Sequence, residues 1–228
     1  VISNRSTWSF STNWARNFYC WFTHPDFGKQ SWDDVDLAAY RAACDDADRL
    51  SPKADGTFEP LYSCSGVISS ASDPYSNFTD LLLAGLGTHT VVHGKSYLLA
   101  GVPRDAVKTL TERTERGEFE ISTERPWRDH VNTVRVNMVM ADKEYEVGPA
   151  PVYRDEALFA RDGEERAIGA DLSFVDSITQ AQRIAKHLIA LSQMEKSVVR
   201  GEDIEAIRLI PSNVVRLHYK GSRGLVAN

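Results

Sequence analysis

The chain has 228 residues, 42% of them hydrophobic and 25% charged, with a formal net charge of −6. A chain of this length and composition can bury a core without disulfides or metals. Its acidic balance and scattered Lys and Arg exclude a surface that holds nucleic acid by counterion release, and no apolar run reaches the length of a membrane helix.

The stretch up to Asp33 is rich in aromatic residues, among them Trp8, Trp14, Trp21 and Trp32. Two readings are open: an irregular segment packed into its own core, which is favoured, or an anchor for a neighbouring surface. A helix is predicted from caps at Ser31 to Asp34 through Ala38, Ala39, Ala42 and Ala43 to about Arg49, fraying at Asp45-Asp46-Ala47-Asp48. Ser51 to Gly56 reads as a loop, and Pro60 to Val67 as a strand. Asp73-Pro74 supplies an N-cap and a first-turn proline for a helix with Tyr75, Phe78, Leu81, Leu82 and Leu86 on one side, ended by Gly85 and Gly87. His89 to Val92 and Ser96 to Leu99 flank Gly94-Lys95 as a tight hairpin.

Pro103 to Glu118 reads as solvated polar chain, with a short strand at Ile121 and Thr123. Val131 to Val139 alternates better than any other segment and predicts a strand. After the Pro149-Ala150-Pro151 break, a short helix spans Asp155 to about Asp162 and stops at Gly163. Ser177-Ile178-Thr179-Gln180 fits a capping box, opening a helix with an apolar stripe of Ile178, Ala181, Ile184, Ala185, Leu188 and Ile189. Strands return after Gly201, around Ile204, Ile207 and Leu209 and at Val214 to Leu217, with a turn at Pro211-Ser212-Asn213. The class is α+β: a strand-helix-strand-strand, insertion-like domain over 1–120, then a domain over 121–228 with a mixed sheet or partial β-barrel and a packed helix.

Nothing in this pattern assembles into catalytic, cofactor-binding or metal-binding residues, and the chain is read as no enzyme. Cys20, Cys44 and Cys64 are odd in number and lack a C-x-x-C pair, which fits buried free thiols and not zinc. His89 and His93, four apart on a strand, would stand ~13 Å from each other, too far to share one metal. Asp33, Asp34 and Asp36 read as helix caps, and Glu112, Glu115 and Glu118 as a polar linker. Cys64-Ser65-Gly66 is no nucleophile elbow, and Gly85-Leu86-Gly87 is no phosphate loop. Arg125, Arg128 and Arg135 near Trp127 could form a modest basic patch, with surface ion pairs the simpler account. Exposure of Trp8, Trp14 and Trp21 together would favour a carbohydrate- or receptor-binding module. The Asn4-Arg5-Ser6 and Asn77-Phe78-Thr79 triplets match a glycosylation pattern by chance, since no signal peptide is seen. Val1 at the start fits a segment of a longer chain.

Several stretches, taken in order, resemble a known family. Residues 59–102 carry Tyr62-Ser63-Cys64-Ser65-Gly66-Val67-Ile68, the Asp73-Pro74 helix and Val91-Val92-His93-Gly94-Lys95-Ser96-Tyr97-Leu98-Leu99-Ala100-Gly101. They are similar to the central tail-tip, or host-specificity (tip attachment) protein J, family of lambda-like phages. Members show a Tyr-Thr-x-Asn-Gly-Val segment, a helix and a Gly-Gly-Lys-Trp-Tyr-Leu hairpin. Residues 121–218 continue the likeness with Arg125, Arg128, Asp129 and Val131-Asn132-Thr133-Val134, then Asp171-Leu172-Ser173-Phe174-Val175, Gln182-Arg183-Ile184-Ala185-Lys186 and Ile210-Pro211-Ser212-Asn213-Val214-Val215. Ser173 and Ser212 stand where the family has Pro and Gly. The resemblance implies an internal hub and insertion-domain fragment of a tail tip, homotrimeric in the full assembly. It implies distal-tail, tape-measure and other tail-tip proteins as partners, without specific nucleic-acid binding. Receptor contacts in this family lie further toward the C-terminus. It implies no catalytic residues and no cofactor, and a place in the virion tail tip, assembled in the bacterial cytoplasm.

Overall fold

The computed structural model describes residues 9–69, 71–123, 126–194 and 196–218. Contacts divide the chain into two units, one of Val1–Gly101 with Arg128–Gln193 and one of Val102–Trp127 with Met194–Asn228. The division does not fall at the boundary read near residue 120. The second unit is assembled from two segments that the first unit separates in sequence. The chain as a whole is α+β, with its α-helices in the first unit and no closed barrel among the described residues.

In the first unit, helix α1 spans Trp14–Phe22 and begins where the Asn13 side chain accepts a hydrogen bond from the Arg16 amide. The aromatic opening is therefore a regular helix, where the sequence suggested irregular chain. Trp14, Phe18 and Tyr19 are fully buried and Trp21 nearly so. Their rings stack into Phe22, Phe78, Tyr40 and Tyr62 at centroid distances between 4.9 and 6.4 Å. The segment packs into its own core because large flat rings bury much apolar surface and interlock edge to face.

A short 3-10 turn, Trp32–Asp34, precedes helix α2 (Leu37–Ala47), which Asp36 caps at the Ala39 amide, 2.8 Å away. The predicted helix thus starts later and ends earlier than its caps and alanines suggested. Strands β1 (Leu50–Pro52) and β2 (Phe58–Pro60) form an antiparallel hairpin. The strand predicted over Pro60 to Val67 is confined to Pro60 and one isolated bridge, Ser63 to Asn13.

Helix α3 (Pro74–Ala84) starts at Asp73 and Pro74 and stops at Gly85, as its capping residues predict. The hairpin of β3 (Thr88–Val92) and β4 (Lys95–Leu99) pairs Val92 with Lys95. Its two loop residues are therefore His93 and Gly94, at φ of 52° and 74°, one position before the predicted Gly94-Lys95. Positive φ at both positions is the two-residue turn whose twist matches that of paired strands.

The sheet of the first unit is built on β7 (Thr133–Met140). β10 (Ala167–Leu172) pairs with it in parallel along one edge, while β8 (Glu146–Pro149) and β9 (Tyr153–Arg154) pair antiparallel along the other. The predicted alternation holds where it decides facing: Val134, Val136 and Met138 are buried and Arg135 and Asn137 are exposed. Helix α4 (Glu156–Asp162), capped by Asp155 and ended by Gly163, leads into β10. Fully buried Asn132 ties that return together: its side-chain amide donates to the Glu164 carbonyl at 2.9 Å and accepts from the Arg166 amide at 2.9 Å.

Helix α5 (Ile178–Ser192) packs on β7 through Ala181, Ile184, Ala185 and Ile189. Ser177 caps it, accepting from the Gln180 amide, but Gln180 does not complete the capping box. Its side chain is fully buried and turned into the core instead. Gln180 Oε1 accepts from the Ser63 amide (3.0 Å) and hydroxyl (2.9 Å), and Nε2 donates to the carbonyls of Ser63 (2.9 Å) and Ala84 (2.8 Å). One side chain thus fastens α5, the 61–65 segment and the end of α3. Beside it, Arg183 bridges Glu59 at 2.9 Å and the Leu61 carbonyl at 2.8 Å.

The second unit consists of strands β5 (Lys108–Thr111), β6 (Glu115–Ser122), β11 (Ser197–Glu202) and β12 (Val215–His218). β6 and β11 pair antiparallel, and β5 and β12 pair in parallel, each as a two-stranded sheet. This corrects the reading of Pro103 to Glu118 as solvated linker. It also corrects the strand expected at Ile204 and Ile207, which is a 3-10 turn over Ile204–Arg208. Leu110 is buried in this unit, as is an ion pair between Arg200 and Glu202. Ser212, at φ 72°, makes the predicted turn before β12.

Candidate functional site

One face of α1 opens onto a cavity of about 590 Å³ in the first unit. Asn17, Cys20, Trp21 and His24 line it from α1 and the turn after it, Cys64 to Gly66 from the loop before α3, and Phe174 and Asp176 from the loop before α5. Phe10, Phe27 and Tyr145 join Trp21 and Phe174 as its aromatic lining, among smaller polar and apolar residues. Asn17 donates to the Cys64 carbonyl at 3.2 Å, and the Ser65 amide donates to the Phe174 carbonyl at 3.0 Å, so backbone ties hold the loops in place. Trp21 is 6% exposed, and its indole N–H has no partner among the described residues. Tyr145 is 66% exposed and sits at φ 63° after Glu144 at φ 56°, two successive non-glycine residues in the left-handed region.

The Cys64 thiol in this wall is held in its protonated form. Burial pushes Cys64 up to about 12, against the Asn17 hydrogen bond that lowers it, and the Asp176 carboxylate raises it further. Burial also raises Cys44. Protonated, buried thiols are inert, so Cys44 and Cys64 fit the reading as buried free thiols, while Cys20 is only half-buried.

The residues singled out in the sequence scatter. His89 and His93 do not share a strand face, since His93 belongs to the turn. His89 is packed against the rings of Phe18, Phe22 and Phe78 at 5.8, 5.0 and 5.4 Å, with Nε2 2.8 Å from the Ser96 hydroxyl. Burial lowers its pKa. The folded state therefore disfavours the charged form, and stability is fully present above the unfolded value near 6.5 and falls as pH drops through it. Burial lowers His187 in the same direction. Urea unfolding compared near pH 7.5 and pH 5.5 should show lower stability at the acid value, and His89→Phe should reduce that difference. A pH response unchanged by the substitution would remove His89 as its source.

Of the helix-cap aspartates, Asp36 caps α2, while Asp33 and Asp34 lie exposed in the 3-10 turn. Glu112 is exposed, and Glu115 and Glu118 lie on β6. Gly85 and Gly87 form no phosphate loop: a Cβ at either would fall 2.1 or 2.4 Å from atoms of the Trp14 ring. Arg125 and Trp8 lie outside the described residues. Arg128 faces Asp129 at 3.8 Å and Arg135 faces Glu165 at 2.8 Å, so ion pairs account for both, and Trp127 is 52% exposed in the other unit. Trp14 and Trp21 are buried, which removes the joint tryptophan exposure that a sugar-stacking surface required. Among the described residues no group of three or more His, Cys, Asp or Glu is placed to hold a metal ion.

No family model and no curated protein matches this chain.

The cavity was missed by sequence reading because its walls come from five separate segments.

Proposed function

We propose that this chain is a structural module of a bacteriophage tail tip, of the hub type, and acts in assembly and not in catalysis. The observation that carries the reading is the ordered series of motifs over residues 59–102 and 121–218 that resembles the tail-tip proteins of lambda-like phages. The order of elements is compatible with that pattern, since the Asp73-Pro74 helix is followed directly by the β3–β4 hairpin.

The second unit supports an assembly role on physical grounds. Isolated two-stranded sheets are marginal in water, and here Val199 on β11 and Ile204 and Ile207 in the 3-10 turn after it are 67%, 84% and 60% exposed. Open strand edges and exposed apolar residues of this kind are normally covered by a neighbour. In this reading the module joins distal-tail and tape-measure proteins to the receptor-binding parts, as a homotrimer in the virion tail tip.

The test is solution mass by light scattering across concentration, with and without co-expressed distal-tail protein. A trimer, or a defined complex with that partner, supports the reading. A monomer that binds neither itself nor the partner sinks it. Clearing of a peptidoglycan suspension would instead point to a cell-wall hydrolase.

A further inference from the structure

We propose that the cavity against α1 is a binding site for an organic cation, an alkylated ammonium or a guanidinium group carried on an apolar body. The site does not depend on the tail-tip reading. Among its sixteen lining residues are five aromatic side chains, Phe10, Trp21, Phe27, Tyr145 and Phe174, and one carboxylate, Asp176. No Lys or Arg lines it, and among the described residues no cation pairs with Asp176. A carboxylate set in an aromatic wall without a counter-charge is the arrangement that attracts a soft, weakly hydrated cation. The ring quadrupoles present negative faces, and the carboxylate supplies the full charge.

Neutral apolar molecules gain only from burial, and anions are repelled by Asp176, so the electrostatics select cations over both. The volume of about 590 Å³ is in the range of sites for small molecules or for one side chain of a partner, about 300–1,000 Å³. A hydrated metal ion fits poorly, because Asp176 is the one carboxylate in the wall and such an ion takes several charged or carbonyl oxygens. The strained turn at Glu144 and Tyr145 adds a second indication. Left-handed non-glycine residues persist where the position of a side chain is over-determined by its surroundings, and ligand clamps are among such places. His24 is the one basic group in the wall, and its Nδ1 lies 3.7 Å from the Asp26 carboxylate and accepts from the Asp26 amide.

The experiment is a titration of the whole chain near pH 8 with choline, with butylguanidinium and with dimethylbutanol, the neutral isostere of choline. Binding is read from tryptophan fluorescence and from amide shifts. Saturable binding of either cation is expected, at least tenfold tighter than that of the isostere. Asp176→Asn and Tyr145→Ala should each weaken it about tenfold, the scale of one desolvated cation–π or charge contact. Tyr145 is largely exposed, so its variant keeps the test open should Asp176→Asn unfold, which circular dichroism would show. Failure of both cations to saturate overturns the proposal. So does equal binding of the isostere, or affinity unchanged in both folded variants.

Discussion

Gln180→Leu should lower the unfolding free energy by about 3 kcal/mol, read from the urea midpoint at an unchanged slope. Leucine nearly matches the volume, so the loss is of hydrogen bonds and not of packing. The substitution leaves the Ser63 amide and carbonyl and the Ala84 carbonyl without the partners Gln180 gives them. Buried polar groups stripped of a partner cost about 1–3 kcal/mol each, reduced here because the Ser63 groups are only partly buried. Gln180→Glu should be nearly as damaging, since a carboxylate cannot donate to the two carbonyls and would be an additional buried charge. A loss below about 1 kcal/mol in Gln180→Leu would mean that water reaches these groups and that Gln180 is not the fastening they need.

Trp14→Ala should cost about 3–5 kcal/mol, the range for deleting a fully buried large aromatic. Trp14 has no exposed surface, and its indole N–H donates to the Leu81 carbonyl. Its ring lies against Gly85 and Gly87, so the same contact can be attacked from the other side. A Cβ at Gly85 would stand 2.1 Å from the Trp14 ring, closer than any real contact, and neither a buried indole nor the capped end of α3 can yield cheaply. Gly85→Ala should therefore lose about 1–3 kcal/mol, the usual cost of overpacking. The double variant Trp14→Ala with Gly85→Ala should lose less than the sum, because the cavity left by the ring accepts the methyl group. Strict additivity in thermal or urea unfolding would show that the two positions do not share this contact.

The two effects meet at one place in the fold. Trp14 holds α1 to the end of α3, and Gln180 holds α5 to the same end through the Ala84 carbonyl. The cavity lies beside this junction, with Leu81, next to Trp14, in its wall. Variants that loosen the junction are expected to blur cation binding along with stability. This is why the binding test rests on Asp176 and the exposed Tyr145.

Local chemistry made several elements legible in the sequence. Asp73-Pro74, Asp155 with Gly163, and Ser177 each satisfy backbone groups at a helix end, whatever lies across the fold. The β3–β4 hairpin, read with its turn one position late, and the alternation along β7 are of the same kind. Pairings and uses that span long stretches of sequence were not legible. Lys108–Thr111 is a strand only because Val215–His218 lies beside it, and nothing in those four residues predicts that partner. Gln180 read as the local half of a capping box, although its place on the stripe with Ile184 already put a polar side chain on the buried face. Gly85 and Gly87 read as helix-stopping residues, and only the fold shows the indole that requires their lack of a side chain. The ends of α3 and α4, the start of α5, the apolar face of β7 and the α+β class follow from neighbours within a few residues, and so were readable in the sequence. The strand partners of the second unit, the choice of rings against which the aromatic opening packs and the wall of the cavity came only with the tertiary structure. Each of these depends on surfaces that meet only after the chain has folded back on itself.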